Sequence, residues 1–434
     1  GLGGSAIRKD VVPSKGFIAG ANIKTDLRRA DDMGLNHGLG EAQLSLTALN
    51  ARVIALAEKQ SSDIAQQLEQ RGVRLIKGRA RFADKQVGHT THRVEVLCEG
   101  NNTEIIDCDM VLVCTGANPR VLPGAEPDGE RILNWRQMYS LKEMPTHLIV
   151  VGSGVTGAEF VSAFAELGVK VTMVASRDRI LPHDDADAAD VLEGVLAGRG
   201  VHLEKHARVE SVTNTGDGVV VRTTDGREIS GSHVMMSIGS IPNTADLNLE
   251  AAGVEVAPSG HIVVDRVSRT NVAGIYAAGD CSDLMPLASV AAQQGRIAVD
   301  HALGEGVSPV RLKTVGNAVF TRPEIAAVGV TQQQITDGEV DADIYKLDLA
   351  TNPRAKMRSL QHGFVKIFAR KGSGQVLGGV IVAPTASELI LSLTIAVAND
   401  LTVRQLANSM AVYPSLSGSI TEAARRLIAK SDLD

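Results

Sequence analysis

Apolar and polar positions follow different rhythms along this chain, and the order of those rhythms predicts its elements. Residues 43–71 (QLSLTALNARVIALAEKQSSDIAQQLEQR) hold no glycine or proline and space their apolar side chains as a helix does, which predicts one or two long helices. RVEVLCEG predicts a β-ribbon, and DMVLVCTGANPR after it a buried parallel strand. THLIVVGSGVTGAEFVSAFAELGVKVTMVAS reads as strand, glycine turn, helix, glycine and strand, which is a βαβ unit. From His202 onward, strands with alternating faces are broken by GDG and DGR turns. TNVAGIYAAGD is another buried strand, ending in aspartate, and LASVAAQQGRIAVDHALG is a helix. From about Arg311 the pattern changes to strands and hairpins, then to helices, so a domain boundary belongs there. Neither a solenoid repeat nor a low-complexity linker interrupts the pattern.

Composition limits what these elements can build. The 434 residues are enough for two to four domains with large cores. Hydrophobic content of 44% and charged content of 22% describe an ordinary soluble globular chain. A net charge of -6 argues against a nucleic-acid surface as the main business. The longest apolar runs, LILSLTIAVA and GGVIVAP, fall short of the roughly 18 residues that span a bilayer, and no secretory signal is visible. Four cysteines (Cys98, Cys108, Cys114 and Cys281) share no tight spacing and read as separate thiols in a reducing cytoplasm. His202 and His206 stand four apart without a cysteine or carboxylate pattern to join them, so a surface pair is expected and no metal site.

The sharpest chemical signal is GSGVTG, which places Gly152, Gly154 and Gly157 after the strand LIVV and at the start of a helix. In that context the three glycines suit a dinucleotide: one for the tight turn, one for close approach of pyrophosphate, one for packing helix on strand. A helix N-terminus there offers N–H groups and partial positive charge to phosphates. An NAD site would carry a carboxylate roughly 20 residues past the glycines. Here KVTMV runs into Ala175, Ser176 and Arg177, a hydroxyl and a guanidinium that suit a 2′-phosphate. NADPH is therefore favoured, with NADH use also plausible and a solvated turn as the alternative role for Arg177. Asp280 ends the strand of GIYAAGDC, where open α/β sheets bind ligands, and the next helix begins near Pro286–Leu287. A sugar-binding acid and a structural cap are equally consistent with Asp280.

VVGSGVTGAEF, CTGANPR, SIGSIPNT, GIYAAGD, FTRPEIAAVG, TNPRAKM and VAPTASELI stand in the order found in the flavoprotein disulfide reductases. The whole chain resembles that family, which includes lipoamide dehydrogenase and glutathione reductase, and is most similar to its NAD(P)H quinone reductase members. The resemblance implies an α/β fold of two Rossmann-like nucleotide-binding domains, for FAD and NAD(P), plus a C-terminal α+β dimerisation domain. It divides the chain into 1–122 and 246–310 for FAD, 123–245 for NAD(P) and 311–434 for the interface of a homodimer. By the same resemblance Asp280 is the FAD ribityl ligand, and Leu287 and Ala288 present backbone to the flavin edge. Thr115 and Gly116 then lie by the FAD phosphates, Ala80 by the adenine, and Val209 and Gly239 along the nicotinamide nucleotide.

The opening GLGGSAIRKDVVPSK departs from the family. Gly3, Gly4, Pro13, Ser14 and Lys15 match the segment that carries the redox disulfide, but Ala6 and Val11 occupy the two cysteine positions. Tyr413 and Gly418 in AVYPSLSGS likewise stand where the family has its His and Glu acid–base pair. Disulfide reduction needs a nucleophilic sulfur and a proton donor, so neither disulfide nor lipoamide reduction is expected. Ser14 is expected to face pyrophosphate. The resemblance makes Lys15 a cation beside the flavin, paired with Glu159 on the first turn of the glycine-loop helix. A surface lysine is the plainer alternative. The family's FAD glycine fingerprint, in a βαβ unit of about 30 residues, has no counterpart before Gly1, which suggests a fragment of a longer product. The expected activity is an FAD-dependent NAD(P)H dehydrogenase reducing a quinone-type acceptor. The rivals are a soluble pyridine nucleotide transhydrogenase and a non-catalytic nucleotide-binding flavoprotein acting as sensor or scaffold.

Overall fold

A computed structural model gives the protein's structure and describes residues 2–30, 34–35, 44–84 and 91–431. The chain forms two compact units, each assembled from separated segments. The first gathers Gly1–Ser14, Arg52–Arg120 and Gly239–Leu312; the second gathers Lys15–Ala51, Val121–Ile238 and Lys313–Asp434.

The expected long helix is a single one, Leu46–Gln70; residue 43 lies outside the described residues. In the first unit, Gly78–Phe82, His92–Cys98 and Thr103–Cys108 form an antiparallel sheet with a regular register, such as Ala80 opposite Val96. Val111–Val113 pairs in parallel with Ile275–Ala277, so the two apolar runs read as buried strands lie side by side. Phe82, Val113, Leu247, Ile262, Ile275 and Cys281 pack around them as the core. The helix Ala288–Ala302 starts where sequence placed it, with Leu287 as its N-cap.

The second unit holds the predicted βαβ. His147–Val151, the helix Val155–Glu166 and Lys170–Val174 follow one another, and the two strands are parallel neighbours. They sit in a five-stranded all-parallel sheet in the order Ile132–Asn134, His233–Met236, His147–Val151, Lys170–Val174, His202–Glu204. Of these, His147–Val151 and Lys170–Val174 are each buried at four of five positions, which explains their nearly continuous apolar sequence. The GDG and DGR stretches close the antiparallel hairpins of Val209–Asn214, Val219–Thr223 and Glu228–Gly231, as read from their alternation.

After Lys313 the same unit builds an antiparallel five-stranded sheet. Its order is Asn317–Val319, Glu324–Gly329, Val376–Ala383, Phe364–Arg370, Ala342–Asp348. Helices Ala386–Ala398, Val403–Asn408 and Gly418–Ser431 complete its core, in which Val365, Ile367, Ile381, Leu393 and Leu427 are fully buried. The pattern change seen near Arg311 is thus a real change of architecture. Among the described residues, no helix is long and apolar enough to cross a membrane.

Candidate redox and nucleotide site

The three fingerprint glycines do three different things. Gly152 follows its strand directly with φ 110°, and a Cβ there would stand 2.3 Å from the Ser237 carbonyl oxygen. A Cβ on Gly157 would stand 2.0 Å from the Gly152 carbonyl oxygen, so turn and helix touch backbone to backbone. Gly154, the N-cap of the helix Val155–Glu166, has nothing within 4 Å of that position. Two glycines are therefore required by the protein itself, and the middle one leaves a cradle that a side chain would fill. The first N–H groups of a helix lack intrahelical acceptors, so this cradle suits pyrophosphate.

Ser153, between the first two glycines, ties this loop to the next. Its carbonyl accepts from Leu181 N at 2.8 Å, and its hydroxyl donates to the Arg179 carbonyl at 3.4 Å. Ser176 and Arg177 follow the end of Lys170–Val174 and are exposed, with Ala175 buried behind them. The neighbouring strand ends in Glu204, but its carboxylate is engaged by Arg227 at 3.0 Å and His202 at 2.7 Å. His202 is thus paired with Glu204 in the structure, and no metal cluster forms among the described residues. Val209 is buried in the apolar core of this lobe.

The lysine of the opening stretch sits on the helix Val11–Arg28. Pro13 is its third residue, where no N–H is needed for the helix. Lys15 Nζ donates to Glu159 Oε2 at 2.8 Å, across 144 positions of sequence. The other carboxylate oxygen, Oε1, accepts from Phe320 N at 3.0 Å. The Phe320 ring lies 4.8 Å from the ammonium, so charge and ring attract. Glu159 is nearly sealed, whereas the lysine side chain keeps 28% of its surface. Glu159 is the fifth residue of its helix, at the start of the second turn rather than in the first turn expected from sequence. The helix begins directly after Gly154, two residues before the last fingerprint glycine, and this early start carries Glu159 past the first turn.

The two helices run side by side in the same direction, and contacts follow in step. Phe17 packs on Phe160, Phe164 and Tyr139 with ring centroids 5.2 to 6.4 Å apart. Further along, Lys24 donates to the Leu167 carbonyl at the helix end and Thr25 to Glu166 at 3.0 Å. Burial pushes the Glu166 carboxyl above its ordinary value, and Arg199, 3.1 Å away, pulls it back. Ser14 is buried near the start of its helix. Its hydroxyl donates to the Val11 carbonyl at 3.3 Å and its N–H to the Asp10 carbonyl at 2.9 Å.

The first unit carries the remaining sequence-identified positions. Thr115 is exposed and its carbonyl accepts from the Asn243 side chain at 2.9 Å, while the Gly116 carbonyl accepts from Asn243 N. No atom lies within 4 Å of a Cβ built on Gly116, so that turn too is an open cradle. Asp280 stands half-buried three residues beyond the strand Ile275–Ala277. Gly239 accepts from Arg120 N, and Ala80 lies exposed on its strand. Gly3 caps the short helix that starts at Gly4. Cys114 keeps an exposed edge, but the protein around its thiol lifts it to about 11. An open glycine turn, an acid past a buried strand and a helix N-terminus fit a second dinucleotide, as FAD requires.

Sequence reasoning missed Phe320, Ser153 and Lys366. Phe320 and Ser153 act largely through backbone groups, which no residue type announces. Lys366 did leave a sign, as the one charged residue inside the apolar run FVKIFA. Tyr413 is 82% exposed and lines, with Gly418, Arg425 and Arg426, a groove of 550 Å³.

Comparison with known proteins agrees with this geometry. Residues 2–295 match the pyridine nucleotide-disulphide oxidoreductases, and residues 315–424 match the dimerisation domain of the same family. An NAD(P)H dehydrogenase (quinone) of Mycobacterium tuberculosis (strain ATCC 25618 / H37Rv) is 58% identical over 434 residues, covering 100% of this chain and 88% of that protein. A dihydrolipoyl dehydrogenase of Bacillus subtilis (strain 168) is 31% identical over 97% of this chain and 90% of its own length. The crystal structure of LpdA from Mycobacterium tuberculosis superposes with a TM-score of 0.93 at 58% identity, covering 98% of this chain and 92% of that one. The mixed α/β fold, the two open glycine turns and these matches lead to one conclusion: the chain belongs to the pyridine nucleotide-disulphide oxidoreductase family, whose members use FAD and NAD(P)H.

Proposed function

We propose that this protein is an FAD-dependent NAD(P)H dehydrogenase that reduces a quinone-type acceptor and lacks disulfide reductase activity. The observation that carries this reading is the intact Lys15–Glu159 pair at 2.8 Å in a segment where Ala6 and Val11 replace both thiols. The 58% identity to a protein named NAD(P)H dehydrogenase (quinone) supports the acceptor class. When bound, FAD would supply the hydride and electron-transfer chemistry that this chain's side chains cannot.

The chain's own residues supply position and charge. The turn at Gly152–Gly157 holds pyrophosphate through backbone N–H groups, and Ser176 with Arg177 receives a 2′-phosphate. Thr115, Gly116, Asp280, Leu287 and Ala288 hold FAD. Lys15 presents a fixed ammonium to the flavin, favouring its electron-rich state. Glu159, with both oxygens satisfied, keeps that ammonium in place and cationic. No thiol or histidine is asked to move a proton. Residues from about 311 onward, matched by the family's dimerisation domain, build a two-fold homodimer, and a monodisperse monomer in solution would contradict this. Four unbridged cysteines suit a cytoplasmic enzyme.

The test is the acceptor. Full-length enzyme is reduced anaerobically with NADPH and mixed in turn with a menadione-like quinone, an NAD analogue and lipoamide. Rapid reoxidation by the quinone alone is expected. Rapid reoxidation by the NAD analogue would favour the transhydrogenase reading, to which Tyr413-Pro414 is equally suited. Efficient lipoamide turnover would sink the proposal.

A further inference from the structure

Lys366 is 1% exposed in the middle of the strand Phe364–Arg370, yet its ammonium is fully engaged. It donates to both oxygens of Asp185 at 2.8 Å and to Gln332 Oε1 at 2.6 Å, and it lies 2.7 Å from Asp187 Oδ2. The Phe364 ring stands 5.3 Å away. Asp185 is itself 5% exposed and is the N-cap of the helix Ala186–Gly198, accepting from Ala188 N at 3.1 Å. A buried charge of this kind is costly unless paired, and one held at every donor fixes the geometry of whatever it grips.

What it grips is the end of the loop that begins at Ser176. That loop runs over residues 176–185 and is tied down at several points on the way, the first being the Arg177 carbonyl, which accepts from His206 N at 3.1 Å. Ile180 N donates to Glu193 Oε1 at 2.8 Å. Leu181, fully buried and held at φ 50°, donates to the carbonyl of Ser153 in the glycine turn. Both loops therefore share two internal links, from Leu181 N to the Ser153 carbonyl and from the Ser153 hydroxyl to the Arg179 carbonyl, and the longer loop ends on an outer anchor, Asp185–Lys366. A leucine held in the left-handed region costs energy and persists only where its surroundings fix it.

We propose that Lys366 is a positioning residue for the nicotinamide nucleotide, acting from the C-terminal sheet through Asp185 on the two loops that hold it. This rests on the reading of the Gly152–Gly157 turn as the nucleotide site. It assigns to the sheet beyond Lys313 a part in cofactor binding distinct from dimer formation. Lys366 touches no cofactor. It sets the height of the 176–185 loop, and that loop sets the glycine turn, so NADH and NADPH feel it alike.

The experiment is equilibrium binding of ADP-ribose and of its 2′-phosphorylated form by titration calorimetry on the flavin-loaded full-length enzyme. It is paired with KM and kcat for NADH and NADPH. Lys366→Met is compared with the double variant Lys366→Met/Asp185→Asn, which removes both charges and keeps a capping side chain at 185. Both should bind both ligands about tenfold more weakly, the scale of loosening a supported site by about an ångström. KM should rise by a similar factor for both cofactors while kcat stays within about twofold. If the single variant fails to fold, the double variant decides. A folded double variant that binds ADP-ribose as the parent does, or one whose kcat falls with KM unmoved, overturns the proposal. Two controls separate it from the readings beneath it. If Gly154→Ala binds ADP-ribose like the parent, the turn is not the nucleotide site and the inference falls with it. If Arg177→Ala weakens both ligands equally, only the 2′-phosphate assignment fails, and the anchor is judged on its own variants.

Discussion

Lys15 and Lys366 each hold a carboxylate at 2.8 Å, both lie in the second compact unit, and both have a phenylalanine ring within 5.3 Å. Their surroundings differ. Lys366 is sealed, with Asp185, Asp187 and Gln332 around its three protons. Lys15 has one carboxylate and keeps 28% of its side-chain surface. A lysine enclosed on every side fastens two pieces of protein together. A lysine held by one partner and open elsewhere is charge made available to something else. The pair distance alone does not separate a structural ammonium from a functional one; the unsatisfied donors and the exposed face do.

Substitution should widen this contrast. Lys366→Met strands the buried carboxylate of Asp185, while Asp187 keeps Lys346, and should cost about 3–5 kcal/mol of stability. Lys15→Met strands one carboxylate that keeps its bond from Phe320 N, and should cost only about 1–3 kcal/mol. Urea midpoints of the two variants measure the difference, and equal losses would remove the distinction between anchor and exposed charge.

The glycine turn offers a second contrast of the same kind. Gly157→Ala forces a Cβ to 2.0 Å from backbone and should cost about 3 kcal/mol or more. Gly154→Ala meets nothing, and should leave thermal stability within about 1 kcal/mol while impairing nucleotide binding. Loss of stability at Gly154 comparable to that at Gly157 would mean that the cradle is a packing site.

The smallest expected effect is on acid stability. Burial pushes the Asp187 carboxyl up, but Lys366 and Lys346 outweigh it and hold the group below its ordinary value. A carboxyl depressed by folding adds stability that is present above its unfolded value, near about 4, and is lost as pH falls through the lower folded value. Asp187→Asn should therefore lower stability modestly at pH 7, converge on the parent in acid, and so flatten the fall in stability below about pH 4. An unchanged acid limb would show that Asp187 adds nothing to the anchor.

Much of this was legible in the sequence because period and glycine placement act locally. The βαβ unit, both hairpin turns, the two buried strands near Val111 and Ile275 taken singly, and the change of architecture near Arg311 all follow from patterns within about 40 residues. The Lys15–Glu159 pair was legible only through the resemblance, since no local rule joins positions 144 apart. Its register was missed by part of a turn because GSGVTG does not say which glycine caps the helix. Lys366 was visible as a charge in a buried strand, but its partner lies 181 positions away on a loop end, a contact only tertiary structure creates. Ser14 was assigned to a ligand from its place in a motif, whereas its hydroxyl has a local carbonyl within reach, a competition common for serine in helices.

The central claim is that the charge of Lys15 serves electron transfer in an enzyme whose thiols are gone. The most direct measurement is the anaerobic rate of flavin bleaching by NADPH in the parent and in Lys15→Met, with FAD content confirmed equal. The account predicts a rate at least about tenfold lower in the variant, with FAD still bound. Bleaching at the parent rate would contradict it and leave the pair as one more structural link between two helices.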